Sequence, residues 1–101
     1  MGKRPERART VVELMPSAKT DLKKLKKKLN DSTLTELYKA FESISNAPLS
    51  GKPLQGNLTG SYSFRFSGNY RIIYKIIKES KETIIRIRSI GDRKDIYDKK
   101  P

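Results

Sequence analysis

The sequence predicts an α+β domain in which one strand and a two-helix hairpin precede a three-stranded antiparallel meander. Apolar residues recur at helical spacing between residues 18 and 44, and the spacing changes to every second residue after residue 60. The last three predicted strands are joined by tight turns, which only antiparallel neighbours can have. We therefore expect the two helices to cover one face of a small twisted sheet.

The N-terminal segment is basic and almost without apolar residues. Residues 1–9 contain one lysine and three arginines, a composition typical of a disordered tail that adds affinity for phosphate. Residues 10–14, with the sequence TVVEL, form a β-branched run that predicts the first strand. The folded unit is thus expected to cover residues 10–101, a length suited to one domain.

Two amphipathic helices are predicted next. Ser17 is the expected N-cap of the first helix, and the helix is expected to end at Asn30 and Asp31. The spacing of Thr33 and Glu36 matches a capping box at the start of the second helix. The predicted buried stripes are Ala18, Leu22, Leu25 and Leu29 in the first helix, and Leu34, Leu37, Tyr38, Phe41 and Ile44 in the second.

The meander follows a loop at residues 46–53. Its predicted strands cover residues 61–66, 70–77 and 83–90, with turns at residues 67–69 and 78–82. In the first of these strands Tyr62, Phe64 and Phe66 alternate with Ser63 and Arg65. If the aromatic rings face the helices, Arg65 faces away from them. The second strand is apolar on both faces near its middle, which favours a central position.

Charge and composition limit the functions available. Lys and Arg number 23 against 11 Asp and Glu, a net charge of +12 that predicts a polyanionic partner, the alternative being a merely solvated surface. The chain has no Cys and no His, which excludes disulfides, thiol nucleophiles, Ser-His-Asp triads and His-ligated metals. Without an apolar span or a signal-peptide pattern, we expect a cytoplasmic protein with no cofactor, metal or membrane contact.

Arginines near the strand ends suggest a phosphate site. Arg65, Arg71 and Arg93 can converge on one rim of the sheet, where three guanidiniums would grip a phosphate group. Tyr97 follows in a charged segment with no packing demand for an aromatic ring, so a nucleotide base can stack on it. The alternatives are ordinary surface arginines and a tyrosine that pins the C-terminus. Six lysines of the first helix form a separate cluster for nucleic acid, an acidic partner or water.

Four stretches resemble the RelE/ParE superfamily of toxins from toxin–antitoxin systems. They are GKPLQG at residues 51–56, GSYSFRF at 60–66, GNYRIIY at 68–74 and IGDRKDIY at 90–97. The resemblance runs from about Val11 to Tyr97, and the family fold it implies agrees with the order of elements predicted from periodicity.

The RelE branch implies a ribosome-dependent, metal-independent mRNA endonuclease. In that reaction the 2′-OH of the substrate attacks the adjacent phosphate and expels the 5′-oxygen. By matching motifs, Arg65 and Arg71 would hold the scissile phosphate and Arg93 would stabilise the transition state. Tyr97 would stack on a base or transfer a proton. Lys52, Arg88 and Lys94 would add RNA-binding contacts.

One position departs from the RelE pattern. RelE-type enzymes often carry a basic residue two before the position of Arg65, and Ser63 stands there in this chain. The general base is therefore unassigned, and Tyr97 or Lys94 would have to replace it.

The resemblance also implies partners. We expect a cognate acidic, RelB-like antitoxin, mRNA in the ribosomal A site, and the ribosome itself. The free toxin is expected to be a monomer that forms a hetero-oligomer with its antitoxin. A ParE-like toxin that inhibits DNA gyrase and a non-catalytic RNA-binding module are the alternative functions.

Overall fold

Two helices and a five-stranded mixed sheet make up the computed structural model, which describes residues 9–92 and residue 94. The elements are β1 (Arg9–Leu14), α1 (Pro16–Lys28), α2 (Asp31–Asn46), β2 (Lys52–Pro53), β3 (Ser61–Phe66), β4 (Tyr70–Glu79) and β5 (Glu82–Asp92). Short 3₁₀ turns at Pro48–Ser50 and Gly56–Leu58 flank β2. The predicted α+β class is confirmed, and the predicted elements occur in the predicted order, with the short strand β2 added between α2 and β3.

The strands are arranged in the order β1-β5-β4-β3-β2. β3, β4 and β5 form the predicted antiparallel meander, and β1 lies parallel to β5 at one edge. At the other edge β2 pairs with only two residues of β3. This strand lies in a stretch predicted as loop.

Several boundaries differ from the predicted ones. β1 begins at Arg9, a residue assigned to the tail, because its N–H donates to the carbonyl of Lys81 at 2.8 Å. β4 and β5 extend beyond their predicted ranges, since each continues to pair with the other as far as Glu79 and Asp92. A register shift between Ile73 and Tyr74 leaves Arg88 of β5 as the extra residue of a bulge.

The predicted helix caps were wrong. α1 begins at Pro16, whose fixed φ and missing N–H suit the first helical position, and Met15 is the N-cap. Ser17 instead donates its hydroxyl to the carbonyl of Arg88 at 2.6 Å. In α2 the side chain of Asn30 accepts from the Thr33 N–H at 2.8 Å, so Asn30 is the cap.

Side chains of α1 cover the edge of β5 where β1 ends. Met15 donates its N–H to the carbonyl of Ile87 at 2.9 Å, the last backbone contact on this edge. Two residues further on, Ser17 donates its hydroxyl to the Arg88 carbonyl, and about one helical turn after Ser17 the carboxylate of Asp21 accepts from the Ile90 N–H at 2.9 Å. Residues four apart share a helix face, so α1 continues the pairing of the strand it follows.

The core lies between this helical layer and the sheet. It is built from Ala18, Leu25, Leu37, Ala40, Ile44, Phe66, Ile72, Tyr74, Ile85, Ile87 and Ile90. Tyr62 and Phe64 pack against it, which confirms that the aromatic face of β3 is turned toward the helices. In the described part of the chain, no helix has the length and apolar character needed to span a membrane.

Candidate functional site

A cleft of about 550 Å³ opens beside β3. Its wall contains three cationic side chains and no carboxylate among the described residues. The lining residues are Ser50, Lys52, Leu54, Ser63, Phe64, Arg65 and Arg71. A concave site with this balance of charge favours an anionic ligand.

Arg65 and Arg71 are brought together by the β3–β4 hairpin. They are direct cross-strand partners, so both side chains project from the sheet face turned away from the helices. Arg65 is exposed and makes no hydrogen bond or ion pair within residues 9–92. Nη1 of Arg71 lies 3.4 Å from the carbonyl oxygens of Gly68 and Tyr70, at the long limit of hydrogen bonding. Within the described residues, most guanidinium donors of the pair have no partner and are placed to bind phosphate.

Lys52 reaches the same cleft from the short strand β2. Its Cα partner on β3 is Ser63, a 7% exposed serine whose side chain lies two residues before Arg65 on the same face. This pairing places a lysine beside the position at which the resemblance to RelE-type enzymes leads us to expect a basic residue. Lys52 therefore supplies a cation next to Ser63 from the neighbouring strand.

Tyr74 holds the turn that leads into β2. Its side chain is fully buried, and its hydroxyl donates to the carbonyl of Pro48 at 2.7 Å and accepts from the Gly51 N–H at 3.1 Å. A Cβ on Gly51 would lie 2.5 Å from this hydroxyl oxygen, so only glycine permits the close approach. The two bonds fix the turn that carries Ser50 and Lys52 to the cleft.

Burial also changes the acidity of Tyr74. Loss of solvent around the hydroxyl raises its pKa above the ordinary value of 10.0, against the opposing hydrogen bond from Gly51. The hydroxyl consequently stays protonated at neutral pH and remains a donor to Pro48.

The other predicted RNA contacts lie apart from the cleft lining. The bulge directs Arg88 across the sheet, where its Nη1 lies 3.4 Å from Oγ of the buried Ser61. Lys94 is exposed, and its N–H donates to the Asp92 carboxylate at 3.0 Å. Arg93 and Tyr97 lie outside the described residues.

Sequence reasoning missed part of this site. Ser50 and Leu54 line the cleft, and no sequence motif predicts that they do. For Tyr74 the sequence does contain an indication of its role. Tyr74 lies between isoleucines in the buried middle of β4, where its hydroxyl has to find hydrogen-bond partners. The partners themselves are 23 and 26 residues away in the chain, so no local pattern indicates them.

The described residues contain no group of three His, Cys, Asp or Glu side chains placed to hold a metal ion. The cleft can bind a phosphate through charge-assisted hydrogen bonds and stabilise additional negative charge on it. Nothing in its described lining is a carboxylate or imidazole that would accept a proton.

Among the similar solved structures are two toxin–antitoxin complexes that are more than 25% identical to this chain. The RelBE2 toxin–antitoxin complex from Mycobacterium tuberculosis is 33% identical, with a TM-score of 0.63 over 82% of this chain and 96% of that chain. The YoeB–YefM complex from Staphylococcus aureus is 28% identical, with a TM-score of 0.63 over 83% and 97% of the two chains. YafQ from Escherichia coli, at 18% identity, shares the fold with a TM-score of 0.72 over 88% and 99%.

Sequence comparison gives the family. No curated protein matches the chain. The family model described as the ParE toxin of type II toxin–antitoxin system, parDE, matches residues 12–97. Since this match spans most of the sequence and the solved toxins share the fold, the protein belongs to the ParE toxin family, within the RelE/ParE superfamily of type II toxin–antitoxin systems.

Proposed function

We propose that this toxin is a ribosome-dependent mRNA endonuclease. The observation that carries the proposal is the cross-strand pair Arg65 and Arg71, which shares a carboxylate-free cleft with Lys52. The resemblance to the RelE branch and the 33% identity to the RelBE2 complex support the same reaction.

The proposed reaction is an intramolecular transesterification of the RNA backbone. The 2′-oxygen of one nucleotide forms a bond to the adjacent phosphorus, and the bond from that phosphorus to the 5′-oxygen breaks. The products are a 2′,3′-cyclic phosphate and a 5′-hydroxyl. A proton leaves the 2′-OH and another reaches the 5′-oxygen, and the phosphorane between these steps carries extra negative charge.

In this scheme Arg65 and Arg71 hold the nonbridging oxygens of the scissile phosphate. Lys52 adds charge from the neighbouring strand β2, beside Ser63, which stands where RelE-type enzymes often carry a basic residue. Arg93 stabilises the phosphorane, and Tyr97 stacks on a base or transfers a proton, with Lys94 as the other candidate for proton transfer. Arg88 contacts the RNA further along the sheet.

The partner that controls this activity is a cognate antitoxin. The RelBE2, YoeB–YefM and DinJ–YafQ structures are toxin–antitoxin complexes, which supports the same kind of assembly for this chain. An acidic antitoxin segment would offset part of the +12 charge.

Purified ribosomes programmed with mRNA test the activity. Cleavage in the A-site codon is expected for the wild type and strongly reduced in R65A, R71A, R93A and Y97F. R86A is the matched control, because Arg86 has the same charge and pairs with Glu13 outside the cleft lining. Full cleavage by all four site variants would contradict the assigned roles.

A second candidate function is inhibition of DNA gyrase. The matching family model is that of the ParE toxins, which favours this alternative. It predicts trapped gyrase–DNA complexes and no cleavage of ribosome-bound mRNA. Under this function Y97F retains toxicity, whereas the endonuclease requires the tyrosine.

A further inference from the structure

The outer face of α1 carries a strongly basic surface that the proposed cleavage reaction does not use. All six lysines of this helix are exposed, and we call them the lysine face. They are Lys19, Lys23, Lys24, Lys26, Lys27 and Lys28.

The lysine face points away from the sheet. Ala18 and Leu25 of α1 are buried, and Leu22 and Leu29 pack against the same core, so the opposite side of the helix faces solvent. Arg65 and Arg71 project from the other face of the sheet. The protein therefore has two basic surfaces on opposite sides.

Little negative charge lies on α1 itself to balance this face. Asp21 is the one acidic residue of α1, and its carboxylate accepts from the Ile90 N–H on the buried side. Across the described residues, no ion pair involves a lysine of the face. Like charges four residues apart, as at Lys19 and Lys23, destabilise a helix.

Part of the cluster has an ordinary structural explanation. Lys26, Lys27 and Lys28 lie in the last turn, where positive charge is favourable next to the helix carbonyls. Lys19 and Lys23 lie too far from that end to gain from it, because the effect is confined to the last turn. These two lysines therefore point to a ligand outside the chain.

The chemistry of the face favours nucleic acid over protein. Protein interfaces are enriched in aromatic residues and arginine and depleted of lysine. In the described chain the exposed large apolar residues are Val12, Tyr38 and Leu49, none of which lies on α1. A lysine surface without apolar anchors suits phosphate groups, which bind through charge and carry no sequence information.

We propose that the lysine face binds the sugar–phosphate backbone of helical RNA without reading its sequence. The identification of this helical RNA as ribosomal RNA rests on the proposed function. On the ribosome, helical ribosomal RNA would contact α1 while mRNA occupies the cleft on the opposite side of the sheet. RNA binding by the face itself needs no cleavage.

The test uses two double variants with equal loss of charge. K19Q/K23Q removes two lysines of the face, and K39Q/K78Q removes two exposed lysines of α2 and β4. Glutamine keeps the helix propensity close to that of lysine. Fluorescence anisotropy measures binding of each full-length variant to an RNA duplex of about 16 base pairs over a salt series. The sugars are 2′-O-methylated, so the duplex cannot be cleaved.

K19Q/K23Q is expected to bind the duplex several-fold more weakly and to lower the slope of log K against log salt by about two. K39Q/K78Q is expected to match the wild type within a factor of about two. Equal weakening in both variants, or none in either, overturns the proposal. Weaker binding of K19Q/K23Q to the cognate antitoxin with unchanged duplex affinity also overturns it, in favour of an acidic protein partner.

The ribosome cleavage assay separates this proposal from the endonuclease function. If no mRNA is cleaved but K19Q/K23Q still shows its specific loss, the endonuclease proposal fails and the lysine face stands.

Discussion

Arg65 and Arg71 face each other across the β3–β4 hairpin with no carboxylate in the described lining of their cleft. Two like charges directly opposite each other on a sheet destabilise it by a few tenths to about 1 kcal/mol. The pairing therefore opposes folding while it prepares a site for an anion.

Replacing one member of this pair separates stability from activity. We expect R65Q to keep or raise the free energy of unfolding, by up to about 1 kcal/mol, because the repulsion disappears. The same variant should cleave ribosome-bound mRNA much more slowly. Urea denaturation measures the first effect, with R86Q as a control that loses an ion pair instead. A clear loss of stability in R65Q would show that the arginine supports the fold.

The close approach of Gly51 to Tyr74 predicts coupled mutations. G51A should destabilise the fold by about 1–3 kcal/mol, because its Cβ would meet the tyrosine hydroxyl. Y74F should lose about 1–3 kcal/mol by leaving the carbonyl of Pro48 and the N–H of Gly51 unpaired.

The double variant G51A/Y74F should lose less than the sum of the two, since the nearest clashing atom is gone. Thermal or urea denaturation of all four proteins completes the cycle. Strict additivity would mean that the turn moves away from Tyr74 in G51A. Y70F is the control, because its hydroxyl makes no hydrogen bond in the described residues.

Tyr74 also predicts a loss of stability in alkali. Burial raises its pKa in the folded state, so the folded protein keeps this proton where the unfolded chain releases it. The contribution is fully present below about pH 10 and is lost as pH rises through the folded pKa.

The stability difference between wild type and Y74F should therefore shrink above about pH 10. The free energy of unfolding of both proteins is measured against pH. Subtracting the Y74F values from the wild-type values cancels the contributions of the other titrating groups. A difference that stays constant across this range would show that the tyrosine has the same pKa in both states.

Asp21 and Glu13 each bind a group on β5, but we expect their contributions to the free energy of unfolding to differ. D21A should lower the free energy of unfolding by about 1–3 kcal/mol, because the Ile90 N–H loses its acceptor at the edge of β5. E13A should lower it by less than about 1 kcal/mol, since the Glu13–Arg86 pair is solvated at side-chain exposures of 45% and 37%. Chemical denaturation compares the two directly. Equal losses would contradict the edge-covering role of α1.

Much of the fold and half of the site follow from local pattern. The alternation around Arg65 and the turn at residues 67–69 predict that Arg65 and Arg71 project from one face, because a hairpin fixes its own register. The isoleucine-rich middle of β4 predicts its central place in the sheet.

The remaining features depend on contacts that no local pattern encodes. β2 has two residues, one of them Pro53, and is a strand only because β3 lies beside it. Ser17 has the right chemistry for a cap, but Pro16 starts the helix and the β5 edge takes the hydroxyl. In a regular strand, the alternation of side chains between the two faces predicts where Arg88 points. The bulge interrupts this alternation, and Arg88 reaches Ser61.

The parallel pairing of β1 with β5 has a consequence for synthesis. Glu13 and Arg86 are 73 residues apart, and within the described residues β5 is the only strand beside β1. Contacts this distant in sequence form late, after a large loss of chain entropy. A chain that ends before Glu82 lacks the partner of its first strand, so the sheet cannot close until β5 has been synthesised. Until then, the nascent toxin has β3 and β4 but not the strand that joins them to β1.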